Sequence, residues 1–253
     1  MGSMQVFIQA KNGHPFSPTA QIAALGFAQR GWQIELVESL PDCFSAGTPL
    51  VGSVGWIERA LAAQGVVSSC EDYPESLRHF LGRSISDGIL GPCLIDSARW
   101  PLFVKPQKQK LFPGTAIREE ADLRRIGNVP LSTPVWTAPL LSIETEYRVY
   151  ILQQQVLASC RYVGPWSNLP NTKTISEMIF SFVNPPQAYC LDVGILSSGE
   201  TILIEVTEIL AASNYGLAPY LHSQAIEVRW AELMGGAIPE FTYPMTPPFL
   251  TRP

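Results

Sequence analysis

Two acidic residues, Asp192 and Glu205, sit in a stretch that is otherwise apolar, beside Leu191, Val193, Ile204 and Val206. The stretch reads as two β-strands, Tyr189–Leu196 and Thr201–Val206, joined by a turn centred on Ser198-Gly199. With that centre Ile195 faces Ile202, and Asp192 falls directly opposite Glu205. Like charges directly across a ladder destabilise it, so the pair needs a compensating charge. A hard cation such as Mg²⁺ is the simplest one. An offset turn would slip the register by one residue and leave the two acids on opposite faces, each solvated. Three lysines, Lys105, Lys108 and Lys110, fall within six residues, just ahead of Phe112-Pro113-Gly114. That spacing beside a glycine turn suits phosphate oxygens, and it is also what a solvated loop carries. Arg148 and Arg161 lie on predicted strands, where a guanidinium requires a carboxylate, a phosphate or solvent.

The elements that must hold these groups follow from periodicity and punctuation. Gln5–Ala10 reads as a strand and Asn12-Gly13 as a turn. Thr19–Gln29 has helical spacing, with Gly31 as its stop, and Trp32–Val37 is the next strand. Strand–helix–strand order points to an open α/β sheet. Leu50–Gly55 reads as a strand entering a glycine loop, Trp56–Gln64 as a helix, Val66–Val67 as a short strand and Glu75–Leu81 as a short helix. Gly52 and Gly55 satisfy no nucleotide fingerprint. They make either a tight strand-to-helix turn or a backbone floor for a substrate. A boundary is expected near Asp96–Trp100. Beyond it the pattern is rich in hairpins: Leu102–Lys105, Thr115–Ile117, Val135–Leu140, Tyr147–Leu152 and Val156–Val163. Helices follow at Lys173–Val183 and Ala218–Met234, the second ended by Gly235-Gly236, and the proline-bearing tail reads as extended.

At 253 residues, 46% apolar and 15% charged, the chain can bury a sizeable core as one large domain or two smaller ones. A net charge of −5 argues against a nucleic-acid or membrane-surface binder. No apolar run approaches the roughly 20 residues of a membrane span, and no secretory signal is visible. Residues 1–4 read as a tag remnant with a native start at Met4. Five cysteines without C-x-x-C spacing suit a reducing cytoplasm better than zinc or disulfides. His14, His79 and His222 match no metal-ligand spacing, and no Ser/His/Asp or Cys/His set stands out.

In chain order, the segments LVGSVGWIERAL, DYPESLRHFLGR, FVKPQKQKLFPG, ETEYRVYIL, RYVG, YCLDVGILSSGETILIEV, SNYGL and RWAEL together resemble the ATP-grasp superfamily, most closely its small single-chain R-two-K clade. The resemblance implies an N-terminal α/β domain over residues 5–97, on the substrate side. Next come an ATP-grasp fold of two α+β subdomains at 98–138 and 139–240, and a tail at 241–253. It implies ATP and Mg²⁺ as cofactors. Lys105 and Lys110 would contact phosphates under the Phe112–Gly114 loop, and the backbone of Val135, Trp136, Thr137 and Ala138 would meet adenine. Arg148 would face the transferred phosphoryl group with Arg161 assisting, and Asp192 and Glu205 would hold the metal. After Glu205 the chain departs from the family's usual Asn–Asp type of run. Thr207 shares Glu205's face and offers a hydroxyl, and Glu208 can move in at the strand end. The implied activity is ligation of a small-molecule or peptide carboxylate to an amine (or thiol) through an acylphosphate. An ATP-binding module without turnover and a kinase acting on a hydroxyl are the alternatives.

Overall fold

The computed structural model describes residues 4–68, 70–108 and 111–241. Lys110 and the tail from residue 242 therefore lie outside the described residues. The N-terminal part is built from β1 (Gln5–Lys11), β2 (His14–Pro15), α1 (Pro18–Gln29), β3 (Gln33–Val37), β4 (Leu50–Val51) and α2 (Val54–Ala63). β1 runs parallel to β3 and β4 on its two sides, as the strand–helix–strand pattern requires. Ser17 caps α1 by accepting from the Ala20 N–H, with Pro18 in the first turn. β4 is shorter than expected because the chain turns at Gly52, where a Cβ would lie 2.4 Å from the Trp56 ring. The Gln9 side chain then accepts from the Ser53 N–H at 2.7 Å. This is the tight turn of the two readings of that loop. Val66–Val67 is not a strand. Its Val66 N–H is spent on the Leu61 carbonyl, closing α2 with Gly65 in the left-handed region.

A 3₁₀ turn at Glu75–Phe80 leads to a four-stranded antiparallel sheet. Its strands are β5 (Ser86–Ile89), β6 (Leu102–Pro106), β7 (Thr115–Ile117) and β8 (Pro134–Ala138), in the order β5-β8-β6-β7, and α3 (Leu90–Ile95) follows β5. The edge strand β5 thus lies ahead of the expected boundary at residue 97. A third sheet contains β9 (Ile143–Leu152), β10 (Gln155–Val163), β11 (Ala188–Leu196) and β12 (Thr201–Glu208), in the order β10-β9-β11-β12. α4 (Thr172–Ser181) and α5 (Pro219–Leu233) complete the chain.

Three apolar cores separate these layers. One lies between the N-terminal sheet with its helices, α5 and one face of the third sheet, through Tyr150, Leu152 and Cys190. There α1 and α5 approach so closely that a Cβ on Gly26 would meet the Pro219 carbonyl at 1.8 Å. The opposite face of the third sheet packs Val149, Leu191 and Val193 against α4 and the 73–85 segment. The small sheet has its own core around Val104, Ile117 and Val135. No described helix is long and apolar enough to cross a membrane.

Candidate active site

The hairpin β11–β12 delivers the two acids as the spacing requires: Asp192 pairs directly with Glu205. It does so by a different route near the turn. Leu196 and Glu200 close a three-residue loop in which Gly199 has φ +86°, so Ile195 faces Thr201 and not Ile202. A bulge between the Asp192 and Val193 pairings then restores the register that puts the acids abreast. On the other side of Asp192, β9 places Arg148 directly opposite. Arg148, Asp192 and Glu205 therefore form one row across three strands.

Side-chain cations answer the repulsion between the acids. Arg148 forks onto Asp192, Nε to Oδ1 at 2.8 Å and Nη2 to Oδ2 at 2.6 Å, with both side chains buried. The Thr207 hydroxyl donates to Asp192 at 3.2 Å. Burial pushes the Asp192 carboxyl upward, and the guanidinium opposes that shift. Glu205 is bound by Lys105 of β6, which also holds Asp72 at 2.8 Å. Burial works against the Lys105 ammonium, yet Glu205, Tyr73 and Asp72 keep its pKa above the ordinary lysine value. Burial also raises Asp72 and Glu146. Glu146 lies two residues before Arg148 on β9, so it shares its face, and it accepts from the Tyr162 hydroxyl. Arg83 closes the cluster, its guanidinium 5.1 Å from the Phe103 ring centre.

A loop after β12 forms the next wall. The buried Tyr150 hydroxyl donates to the Ser213 carbonyl and accepts from the Tyr215 N–H, each at 2.9 Å. Arg148 Nη1 reaches the same carbonyl at 3.1 Å. Tyr215 stacks on Tyr162 at 4.7 Å, with the Arg148 guanidinium 4.9 Å from its ring centre. Beside Asp72 and Tyr73 opens a cavity of about 760 Å³, walled by Ile57 and Leu61 of α2 and by Lys108 and Trp136 of the small-sheet side.

The other expected site residues divide. Trp136 is half-buried, edge-on to Tyr73 at 5.4 Å, so it adjoins Lys105. Thr137 bonds the Ser86 carbonyl across the small sheet. Ala138 is buried against the 73–85 segment, whereas Val135 and Phe112 are buried in the small-sheet core. Phe112 therefore anchors its loop, and Gly114 lies where a Cβ would be 2.7 Å from the Phe103 ring. Arg161 is not brought to the row. It pairs opposite Tyr147, whose ring faces the core on the other side of the sheet, and it donates to the Gly164 carbonyl from an exposed position. Glu208 is likewise spent elsewhere, in a buried ion pair with Arg229 at 2.7 Å and a bond from Ser68. No group of three or more His, Cys, Asp or Glu side chains arranged for a metal occurs among the described residues. Asp72, Tyr73, Arg83, Glu146, Tyr162 and Tyr215 join the site without having been singled out in the sequence. Each lies in a segment that carries the family resemblance, Asp72, Tyr73 and Arg83 in DYPESLRHFLGR, and Glu146 also alternates with Arg148 along its strand.

The sequence model for the ATP-grasp domain, R-two-K clade family 2, matches residues 80–225, more than half of the chain. The chain belongs to the R-two-K clade of the ATP-grasp superfamily. No curated protein matches it significantly in sequence. Solved structures share the ATP-grasp architecture at low identity. D-cycloserine synthetase DcsG aligns with TM-score 0.59 and 11% identity, over 90% of this chain and all of that one. N5-carboxyaminoimidazole synthase from Aspergillus clavatus, in complex with ADP and 5-aminoimidazole ribonucleotide, gives 0.58 and 10%, over 94% and 78%. The L-amino acid ligase from Bacillus licheniformis gives 0.57 and 10%, over 97% and 78%. At these identities the likeness is one of fold, and in this ATP-grasp chain Lys105 of the small sheet reaches the charged row of the third sheet at Glu205.

Proposed function

We propose that the protein is an Mg²⁺- and ATP-dependent ligase that joins a small-molecule or peptide carboxylate to an amine (or thiol) through an acylphosphate. The single observation that carries this reading is the convergence of Lys105 from the small sheet and Arg148, Asp192 and Glu205 from the third sheet on one half-buried patch. Membership of the ATP-grasp family and the ligases among its fold neighbours support it.

Each residue has a part. Lys105, and Lys110 beyond the described residues, would neutralise nucleotide phosphates, with Trp136–Ala138 along the adenine. Arg148 would stabilise charge on the γ-phosphoryl group as the substrate carboxylate attacks it, the phosphorus–oxygen bond to the β-phosphate breaks and ADP leaves. The amine then attacks the acyl carbon, the carbon–oxygen bond to phosphate breaks, and phosphate leaves with the nitrogen's proton passed to solvent or phosphate. No side-chain nucleophile is required, because positioning and electrostatics do the work.

The donor set fits Mg²⁺. Asp192, Glu205 and the Thr207 hydroxyl are all oxygen donors, and Asp72, Glu146, Asp192 and Glu205 outnumber Arg83, Lys105 and Arg148 by one. A hard cation with few protein ligands completes its shell from phosphate and water, and when bound it neutralises phosphate charge. Glu208, held by Arg229, is not among the residues we assign to it. The test is ADP formation with ATP and Mg²⁺ across a panel of acids and amines. Turnover should appear with a matched pair and fall at least about a hundredfold in Asp192→Ala/Glu205→Ala. Undiminished turnover in that variant contradicts the metal assignment. Both oxygens of Asp192 engaged by Arg148 favour a second reading, an ATP-binding module without turnover, for which ATP would bind and no acid–amine pair release ADP.

A further inference from the structure

The contacts that hold Lys105 come partly from outside both sheets that form the cleft. Asp72 lies against β12, the edge strand of its sheet, and its carbonyl accepts from the Val206 N–H at 2.9 Å. The Asp72 carboxylate takes Lys105 Nζ at 2.8 Å. The next residue, Tyr73, is buried, its ring edge-on to Trp136 and its centre 5.3 Å from Lys105 Nζ. Both residues also line the 760 Å³ cavity, so they stand between that space and Lys105.

We propose that Asp72 and Tyr73 form an autoinhibitory latch, fastened to the edge of β12, that together with Glu205 holds Lys105 neutralised and packs against Trp136 until a nucleotide phosphate takes the lysine over. The proposal rests on the reading of Lys105 as a phosphate contact. A carboxylate and a phosphate compete for one ammonium, and a half-buried Asp72 left without Lys105 is costly where it stands. Exchange of partners therefore requires the segment to move, and the backbone bond to Val206 is the fastening that gives way. With the latch closed most of the time, apparent nucleotide affinity is the intrinsic value reduced by the open fraction.

Calorimetric titration of the full chain with ATP and Mg²⁺, in wild type and Asp72→Asn, tests this. Hydrogen exchange of wild type with and without nucleotide accompanies it. Asp72→Asn keeps the backbone bond and is expected to bind ATP about tenfold more tightly. In wild type, nucleotide should speed exchange at the Val206 amide while the rest of β12 is unchanged or slowed. Equal or weaker binding by Asp72→Asn, or slowing at Val206 with its neighbours, overturns the latch alone. Absence of binding by both proteins overturns the nucleotide reading and the latch with it. If Asp72→Asn does not fold, exchange at Val206 in wild type decides.

Discussion

Asp192 accepts from both Arg148 and Thr207, and Glu205, one strand away, is bound to Lys105, so two facing carboxylates are tolerated in an apolar hairpin. The facing pair was legible in the sequence because cross-strand spacing is local arithmetic. Its partners were not, since Arg148 is 44 residues from Asp192 and Lys105 is 100 residues from Glu205. Arg161 misled for a related reason. The register shift in β10 between Val156 and Ala158 moves the pairing on by one residue, so Arg161 falls opposite Tyr147 and Tyr162 takes the face of Glu146. Glu208 is the sharpest residue-scale test. Glu208→Gln takes from buried Arg229 the carboxylate gripped by Nε and Nη2, leaving it Glu232 at Nη1, and should lower stability by about 1.5–3 kcal/mol in urea unfolding. Nucleotide affinity should stay unchanged by calorimetry. Retained stability with weakened Mg²⁺-dependent binding would return Glu208 to the metal site.

At the scale of elements, α1 and β6 form where periodicity placed them, because capping and alternation are written into neighbouring residues. The β11–β12 turn was harder. The glycine at 199 sets a three-residue loop, and only the bulge farther along makes Asp192 meet Glu205. α5 shows what patterning misses, since it is buried on nearly every side, His222 included. Burial lowers His222 from 6.5 to about 4. Below pH 6.5 the unfolded chain takes a proton that the folded chain refuses until about pH 4. The contribution of the neutral histidine is therefore full above pH 6.5 and is lost as pH falls towards 4. Asp72, Glu146 and Asp192, raised by burial, act in the opposite sense. The test is accordingly a difference: between pH 7 and pH 5 wild type should lose about 2 kcal/mol relative to His222→Leu in urea unfolding. Parallel pH curves would rule the histidine out as the source.

For the molecule as a whole, the site exists only when separate layers meet. β6 brings Lys105, the third sheet brings the row of Arg148, Asp192 and Glu205, and the 70–73 segment brings Asp72 and Tyr73. The order of elements revealed two of these contributors, because βαβ and hairpin patterns are local. The third is an irregular stretch without periodicity, and only packing against β12 and Trp136 gives it a place. The central claim is that these layers together bind ATP with Mg²⁺. Its most direct measurement is titration of wild type and Glu205→Gln with ATP, with and without Mg²⁺. Wild type should bind one nucleotide per chain, more tightly with Mg²⁺, and Glu205→Gln should lose that dependence on the metal. Absence of binding by wild type, or a metal dependence untouched by Glu205→Gln, would contradict it.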